Sequence, residues 1–399
     1  RLSLVGSEMC IRDREKAHQK WGKKKWEALF KDAIQLAEKG FPVSQKLSSS
    51  IKKNRKSLKK YKTTQNYFLP LGKGLKYGSM KTNADYANTL KLFSRYGSDV
   101  FYSGTIGEDI ISTVRNAKDN PGKLSKIDLL NYEVKERNPV CSLYRKYKVC
   151  GMGPPSSGAI TINQILGIVE RYDLSKLGYN NSETWRIIGD ASRLAFADRG
   201  KYIADSDFVD VPIDKLIDKK YLKVRSNKLE TKMKIPDIKP GSILHKETNS
   251  YIYANTLEFP STTHISIVDE YGNALSMTST IESSFGSRLM TNGGFLLNNE
   301  LTDFSFQKEK KGKRVANNIE PNKRPRSSMA PTIIFKNDKP LFIIGSPGGS
   351  NIIGYVVNSI IGLVDWKMNV QQAASISHGI NKFGTFYLEK NSKISLLKQ

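Results

Sequence analysis

The sequence is poor in the features on which several protein classes depend. Its 399 residues include three cysteines, no pair of them spaced CxxC, and four histidines that stand singly. Three cysteines cannot build a disulfide framework, and isolated histidines disfavour a His-rich metal site. No apolar run approaches the roughly 18 residues of a membrane-spanning helix. Internal repeats and low-complexity blocks are also absent, which excludes solenoid and collagen-like chains.

What is present is a globular composition with an unusual charge. Hydrophobic residues make up 38% of the chain, and 64 Lys and Arg against 38 Asp and Glu give a formal net charge of +26. This charge indicates either a polyanionic partner or a Lys-rich compositional habit. The most basic stretch, residues 45–62, would place its charges all round a helix, which favours a solvated surface helix. Because the lysines are scattered and no nucleic-acid-binding motif is found, we expect no nucleic acid partner.

The two ends of the chain are not typical of a folded domain. Residues 1–14 (RLSLVGSEMCIRDR) show no helical or strand periodicity and resemble a translated sequencing-adapter read-through. We therefore expect them to be foreign to the fold. The chain begins with Arg, and its last residues stop within what reads as an element. The expectation is a fragment truncated at both ends, with any signal peptide in the missing N-terminal part.

Hydrophobic periodicity predicts helices first and strands later. Apolar spacing of i, i+3, i+4 and i+7 predicts helices around residues 162–169 and 187–195, and residues 352–363 are apolar and helical in pattern. The predicted strands are 263–268, 274–280, 332–335 and 341–344. The last two are apolar on both faces, as in strands buried between helical layers. This order favours an α/β fold built as a layered sandwich.

The first predicted hairpin places two threonines close together. Its turn is centred between Tyr271 and Gly272. Antiparallel pairing then puts Thr263 opposite Thr280, and Thr262 lies diagonal to Thr280. Because Thr neighbours are common in sheets, this juxtaposition alone is weak evidence of a site.

The second predicted hairpin brings a serine pair towards a glycine-rich turn. Its turn is centred between Asn337 and Asp338, a register that sets Ser328 opposite Pro347. Ser327 and Ser328 would then lie across the hairpin from the sequence SPGGS.

Gly348 and Gly349 join the second strand of this hairpin to a predicted helix. Glycines at such a place let backbone N–H groups point inward beside the positive end of the helix dipole, where an oxyanion can bind. A tight turn without function is the alternative. With Ser327 and Ser328 across the hairpin, an anion or acyl site and a structural turn are equally favoured.

Three acidic residues are candidates for binding a cationic group. Glu300 and Asp303 lie within LLNNELTDF, a polar segment framed by Leu and Phe, and Glu282 projects to the same strand face as Thr280. They could bind a substrate ammonium or cap local structure. Taken with a hydroxyl and an oxyanion site, they make an amino-acid-recognising acyl-transfer site plausible.

These segments resemble, in order, those of the γ-glutamyltranspeptidase (glutathione hydrolase) family. The sequence PSTTHISIVD, followed by Gly272-Asn273, is similar to the family's processing site. The segments TIE, LLNNELTDF, KRPRSSM and GSPGGS follow it. The segments LFKDAIQLAEKGFPVS, GPPSSG, ASRLAFADRGKYI and DFVDVPID precede it. The likeness covers nearly all of residues 16 to about 390.

The resemblance implies an N-terminal-nucleophile hydrolase with a four-layer αββα sandwich. Such a proenzyme cuts itself before a Thr, so the scissile bond here would be Ser261–Thr262. Thr262 would then be the nucleophile, with its own free amine as general base. Thr280 would orient it, and the backbone N–H groups of Gly348 and Gly349 would stabilise the oxyanion.

The resemblance also implies how a γ-glutamyl compound such as glutathione would bind. Ser327 and Ser328 would hold the α-carboxylate, and Glu282, Glu300 and Asp303 the α-ammonium. Water, or an amino acid or peptide amine, would then take the glutamyl group. The implied chemistry uses no cofactor and no metal.

The same resemblance divides the chain into a large-subunit portion, residues 15–261, and a small-subunit portion, residues 262–399, which form one composite catalytic domain. It implies export to the periplasm or cell surface. The family's carboxylate-binding Arg would precede the first residue of this chain. Residues 304–322 are Lys-rich and lack Tyr, whereas members with a lid place an aromatic there. An open pocket that favours hydrolysis over transfer is the expectation.

The alternative within the same superfamily is an acylase of cephalosporins or other glutaryl amides. It would share processing at Thr262 but would lack ligands for an ammonium group. Glu282, Glu300 and Asp303 argue against it.

Overall fold

The computed structural model describes residues 10–230, 235–243, 250–254 and 261–390, which form two compact units. Unit one is Arg1–Glu136, Thr280–Leu301 and Glu320–Asn322, and unit two is Arg137–Ser279, Thr302–Ile319 and Lys323–Gln399, as far as these ranges are described. Residues 1–9 of the adapter-like segment, Pro260 of the quoted motif and the chain end from residue 391 lie outside the described residues.

Unit one is mainly helical. Its helices are α1 (Ile11–Trp21), α2 (Lys31–Lys39), α3 (Gln45–Leu58), α4 (Lys62–Phe68), α5 (Ala84–Tyr96), α6 (Asp99–Tyr102), α7 (Thr105–Arg115) and α8 (Lys126–Leu130). Short antiparallel strands β1 (Phe41–Pro42) and β2 (Met80–Lys81) pair with each other. The basic helix α3 buries Ile51 and Leu58 and leaves its lysines outside, as expected for a surface helix.

The segment Thr280–Leu301 is bound into unit one by side chains of its helices. The Thr64 hydroxyl donates to the Arg288 carbonyl at 2.6 Å, and the Thr89 hydroxyl donates to the Gly293 carbonyl at 2.8 Å. Its apolar side chains join the same buried clusters as those of α4 to α7. The candidate residues of this segment therefore stand on a well-anchored stretch of chain.

The start of the chain differs from the expectation for residues 11–14. Helix α1 begins at Ile11, inside the segment in which we found no periodicity. The Arg12 guanidinium lies 4.1 Å from the Tyr102 ring centroid and 3.1 Å from the Asp99 carboxylate. Long-range contacts of this kind, which periodicity does not report, stabilise the first turn of the helix.

Unit two combines helices with most of the strands. Its helices are α9 (Gly158–Val169), α10 (Leu174–Leu177), α11 (Ser182–Tyr202), α12 (Ile213–Leu216), α13 (Lys219–Asn227), α14 (Asn351–Val364) and α15 (Val370–Ser375). Its strands are β3 (Val140–Tyr144), β4 (Tyr147–Gly151), β5 (Thr263–Val268), β6 (Ala274–Ser279), β7 (Glu309–Lys310), β8 (Lys313–Arg314), β9 (Thr332–Lys336), β10 (Lys339–Ile344), β11 (Gly379–Asn381) and β12 (Phe386–Leu388).

The core of unit two lies between a sheet and three helices. The sheet has the order β10-β9-β4-β3, and β5 and β6 form a separate antiparallel pair. Val149 of β4 and Ile334 of β9 are paired, and both pack into one buried cluster with the apolar sides of α9, α11 and α14. The α/β class and the three helices predicted from apolar spacing are thereby confirmed. Each predicted strand is also found, within about two residues at its ends.

The register predicted for the first hairpin is wrong by one residue. Thr263 pairs with Ser279 and not with Thr280. The loop has three residues, 270–272, because Gly272 adopts a φ of +82° and adds a position to the turn. Thr262 and Thr280 are the residues directly outside the paired ends of β5 and β6.

The register predicted for the second hairpin holds next to the turn, where Lys339 pairs with Lys336 and Pro340 with Phe335, and is wrong beyond it. Pairing ends with Ile344 opposite Thr332 and does not reach Ser328 or Pro347. A bulge at Leu341 shifts the register part-way along the strand, and such an extra residue leaves no mark in an apolar run.

Both β9 and β10 were predicted to be buried on both faces, and the prediction holds only for β9. Ile334 of β9 is fully buried, whereas Leu341 of β10 is 41% exposed. The reason is the position of β10 at the edge of the sheet.

The structure also contains a disulfide bond that the cysteine count did not predict. Cys141 and Cys150 occupy directly opposite positions of β3 and β4, with Cα atoms 4.1 Å apart, and are joined through their sulfur atoms. A bond across one hairpin is not a disulfide framework, but it fastens the outer edge of the sheet.

Candidate active site

Thr262 stands immediately before β5 in unit two. Its hydroxyl donates to the carbonyl oxygen of Ser261, so it contacts the peptide bond predicted to be scissile. This contact places the hydroxyl beside the peptide bond between Ser261 and Thr262.

A serine links the hairpin that follows Thr262 with the hairpin that precedes Gly348 and Gly349. Ser276 of β6 donates from its hydroxyl to the Ile344 carbonyl at 3.1 Å and accepts from the Thr332 N–H at 3.1 Å. The two hairpins are therefore in contact, because the Ser276 side chain of β6 reaches the backbone at the end of β10. This contact replaces the predicted cross-hairpin pairing as the feature that brings the two segments together.

His264 packs against Gly345, three residues before the turn that contains Gly348 and Gly349. A Cβ built on Gly345 would lie 2.0 Å from Cε1 of the His264 ring, so the imidazole occupies the space that any other residue at Gly345 would need. The ring is oriented by a 2.8 Å contact between Nδ1 and the Thr278 hydroxyl. Burial lowers the pKa of His264, which favours the neutral ring at this place.

The glycine turn has a backbone that ordinary residues avoid. Gly348 and Gly349 have φ angles of +138° and +57°, and α14 begins two residues later. A Cβ on Gly348 would lie 2.8 Å from the Tyr355 ring. Both conformation and space thus require glycine here, beside the positive end of a helix dipole where an oxyanion is stabilised.

The serine pair is held by two elements that precede it in the chain. Ser157 donates to the Ser327 carbonyl from its N–H at 2.8 Å and from its hydroxyl at 2.7 Å, and the Ser327 N–H donates to the Pro155 carbonyl at 3.1 Å. Arg199 of α11 donates to the Ser328 hydroxyl at 2.7 Å. Ser328 is buried, and its hydroxyl oxygen is held by the hydrogen bond from Arg199.

In unit one, Thr280 and Glu282 are brought together. Glu282 is buried, and its N–H donates to the Thr280 hydroxyl at 3.0 Å. The Asn299 amide donates to the Glu282 carboxylate and accepts from the Ser283 N–H at 3.1 Å. Glu282 also has a φ of +70°, which is rare for a glutamate and typical of constrained functional positions.

Glu300 and Asp303 begin and end a single turn of 3-10 helix, Glu300–Asp303. Both are buried. In unit one the Glu300 N–H donates to the Asn298 side chain at 2.9 Å, and in unit two the Asp303 carbonyl accepts from the Asn317 amide at 2.8 Å. The backbone of each acid is thus fixed by an asparagine side chain.

Comparison with known proteins identifies the family. The family model described as Gamma-glutamyltranspeptidase matches residues 10–399. The glutathione hydrolase proenzyme of Bacillus subtilis is 35% identical over 378 residues, which are 93% of this chain and 63% of that protein. The chain belongs to the gamma-glutamyltranspeptidase family.

Relatives of this family member include acylases. The acylase ACY 1 proenzyme of a Pseudomonas species is 32% identical over 363 residues, 91% of this chain and 61% of that protein. The crystal structure of cephalosporin acylase from Bacillus halodurans aligns with a TM-score of 0.82 at 21% identity, over 96% of this chain and 67% of that one. At this identity the structural likeness shows a shared α/β fold. The chain spans less than two thirds of the length of these curated relatives.

Among the described residues, no group of three or more His, Cys, Asp or Glu side chains could hold a metal ion. None of the helices in the described ranges combines the length and apolar character of a membrane span.

Sequence reasoning missed three residues that the structure places around this family member's candidate site. Ser157 and Arg199 lie in GPPSSG and ASRLAFADRGKYI, two segments noted for their resemblance without a role for either residue, and His264 follows the predicted nucleophile by two positions. The contacts of Ser157 and Arg199 with the serine pair span 129 to 170 residues of sequence. The available indication was the place of both residues in segments that resemble those of the family.

Replacing Gly345 by Ala is expected to destabilise unit two, because the new methyl group would overlap the His264 ring. Overpacking of this kind costs about 1–3 kcal/mol of the free energy of unfolding. Chemical denaturation of the variant measures it, and Gly345→Ala combined with His264→Ala is the matched control, since removal of the ring restores the space. A single variant as stable as the unaltered protein would show that the ring does not occupy this position.

Proposed function

We propose that this chain is part of a self-processing γ-glutamyltranspeptidase, or glutathione hydrolase, that cleaves γ-glutamyl amides through a Thr acyl-enzyme. The observation that carries the proposal is the position of Thr262 directly after Ser261 in the family's processing motif, within a chain that the family model matches over residues 10–399. Family membership and the two positive-φ glycines support it.

The proposed processing step needs no other protein. The Thr262 hydroxyl attacks the carbonyl carbon of Ser261, and the C–N bond of that peptide breaks as an ester forms. Water hydrolyses the ester, which leaves the carboxylate on Ser261 and a free α-amine on Thr262. That amine is then the general base for the hydroxyl of the same residue.

The proposed turnover uses the same hydroxyl on a substrate. Thr262 attacks the γ-glutamyl carbonyl, the amine leaves with a proton from the Thr262 amine, and water or an acceptor amine resolves the ester. Gly348 and Gly349 donate N–H groups to the tetrahedral oxyanion. Ser327 and Ser328 bind the substrate α-carboxylate.

The proposed ammonium ligands are Glu282, Glu300 and Asp303. Burial of all three carboxylates suits the binding of a cation. Asp303 belongs to unit two with the nucleophile, whereas Thr280, Glu282 and Glu300 belong to unit one. The proposed role of Thr280 in orienting the nucleophile rests on the family motif. The proposed binding of ammonium by Glu282 and Glu300 rests on the same motif.

The proposal extends to architecture and location. It includes a four-layer αββα sandwich and a cut into residues 15–261 and 262–399 that makes one composite catalytic domain. The proposal also includes export of the protein, either to the periplasm or to the cell surface as a secreted protein. The Cys141–Cys150 disulfide supports export, because disulfides persist in oxidising compartments.

The balance between hydrolysis and transfer is expected to favour hydrolysis. Residues 304–322 contain no Tyr, and the hairpin β7–β8 within them is exposed. The rate of hydrolysis of a γ-glutamyl anilide should therefore exceed the rate of γ-glutamylation of glycylglycine. Dominant transfer would contradict the open pocket, and a preference for a glutaryl amide over the γ-glutamyl compound would favour the acylase alternative.

A further inference from the structure

Unit one contains an apolar pocket that the proposed reaction does not use. Its volume is about 390 Å³, which lies in the range of small-molecule sites. Helix α2 and the segment Thr280–Leu301 both contribute to its wall, and none of the described residues that line it is a candidate active-site residue. The wall consists mainly of apolar side chains, among them Phe41, Leu47, Phe68, Leu75, Met290 and Leu296.

One cation lines this apolar pocket. Lys81 of β2 is the single charged side chain among the described residues of the wall. Its Nζ lies 4.1 Å from the centroid of the Tyr67 ring, which also lines the pocket. Burial lowers the pKa of Lys81, and no carboxylate within the described ranges forms an ion pair with it. A partly desolvated ammonium of this kind is stabilised by an anion that enters the pocket.

Hydrogen bonds between separate parts of unit one hold the wall of the pocket in place. The Ser48 hydroxyl of α3 donates to the Leu75 carbonyl at 2.9 Å. The Asn83 side chain donates to the Gly294 carbonyl at 2.8 Å and accepts from the Tyr86 N–H at 3.1 Å. A pocket that is formed before its ligand arrives costs less to occupy than one that the ligand must order.

We propose that this pocket binds an apolar monocarboxylate, with the hydrocarbon part against the apolar wall and the carboxylate on the Lys81 ammonium. One ammonium compensates one negative charge, so a dianion such as a phosphate ester would keep a buried charge without a partner. The ligand contacts Met290 and Leu296, which belong to the same segment of unit one as Glu282 and Glu300. This inference does not depend on the proposed function.

The test is a calorimetric titration of the full-length gene product with three ligands. Octanoate has the chain and the charge, octanamide has the chain without the charge, and butyrate has the charge on a shorter chain. We expect octanamide to bind about 10-fold more weakly than octanoate, because it lacks the charge-assisted contact. Butyrate should also bind at least about 10-fold more weakly, because it buries less apolar surface.

Lys81→Met removes the charge from the wall and keeps an apolar, flexible side chain. The Kd for octanoate should rise about 10-fold, to that of octanamide, while the Kd for octanamide changes less than about 3-fold. Retained octanamide binding shows that the variant has folded. Lys39→Met is the matched control, because Lys39 lies at the exposed end of α2 and does not line the pocket. It should leave the octanoate affinity unaltered.

Leu36→Gln tests the apolar wall. Leu36 lines the pocket and is 56% exposed, so the change alters the wall without opening the core. Octanoate and octanamide should both bind about 3- to 10-fold more weakly. The proposal is overturned if the full-length protein binds no octanoate, binds octanamide equally well, or keeps its octanoate affinity in Lys81→Met. An equal loss in Lys39→Met would show a general attraction to a basic chain and would also overturn it.

Discussion

Replacing Thr262 by Ala is expected to abolish both self-cleavage and turnover. The proposal assigns both the attacking hydroxyl and the new α-amine to Thr262, and alanine lacks the hydroxyl that contacts the Ser261 carbonyl. The precursor should stay whole on incubation, and hydrolysis of a γ-glutamyl anilide should fall by a factor of at least about 10³. Intact mass and the release of anilide measure the two losses.

Two variants are the controls for this result. Thr262→Ser keeps a hydroxyl and should still be cut, whereas Thr263→Ala changes the next residue, which lies within β5, and should be cut at the unaltered position. Cleavage of Thr262→Ala at the same bond would show that another residue is the nucleophile.

Replacing Gly348 by Ala is expected to lower kcat about 10²- to 10³-fold, the usual effect of losing an oxyanion donor. Gly348 has a φ of +138°, and a Cβ there would lie 2.8 Å from the Tyr355 ring. The backbone must therefore move, and its N–H moves with it. KM should change much less than kcat, because the oxyanion exists only after attack.

Gly178→Ala is the matched control for this prediction. Gly178 also has a positive φ, +76°, but a Cβ there would meet nothing within 4 Å and the residue ends α10. It should carry the same kind of backbone strain without a change in kcat. Equal losses in both variants, or an unchanged kcat in Gly348→Ala, would contradict an oxyanion role for the turn.

Much of the secondary structure of unit two could be predicted from hydrophobic spacing. The helices α9, α11 and α14 have continuous apolar faces because they pack against one sheet, and burial of one face is what the spacing records. The capping box of Ser125 and Asp128, which begins α8, is a local pattern of the same kind. Local sequence patterns were sufficient to predict a helix or strand wherever the residues of that element determine its conformation.

The strand registers could not be predicted in the same way. Each was displaced by one residue, at Gly272 in one hairpin and at Leu341 in the other. A glycine with positive φ and a bulge both add a residue without altering the apolar pattern on either side. The pairing of Cys141 with Cys150 was missed for a related reason, since it depends on the register of β3 and β4.

The candidate site was only partly accessible to sequence reasoning. Thr262, Gly348, Gly349 and the serine pair were named from motifs, but the contact between Arg199 and Ser328 bridges 129 residues. Side chains that support a site through one buried hydrogen bond have no fixed spacing to the residues they hold. Only the folded chain shows that α11 positions the serines.

The central claim is that Thr262 becomes an N-terminal nucleophile by cleavage of its own peptide bond. The most direct test is the intact mass of the full-length gene product after purification and incubation, with N-terminal sequencing of any fragment. We expect two chains whose masses sum to that of the precursor plus one water, and a fragment that begins at Thr262. A chain that stays whole, or a cut at any other bond, would contradict the claim.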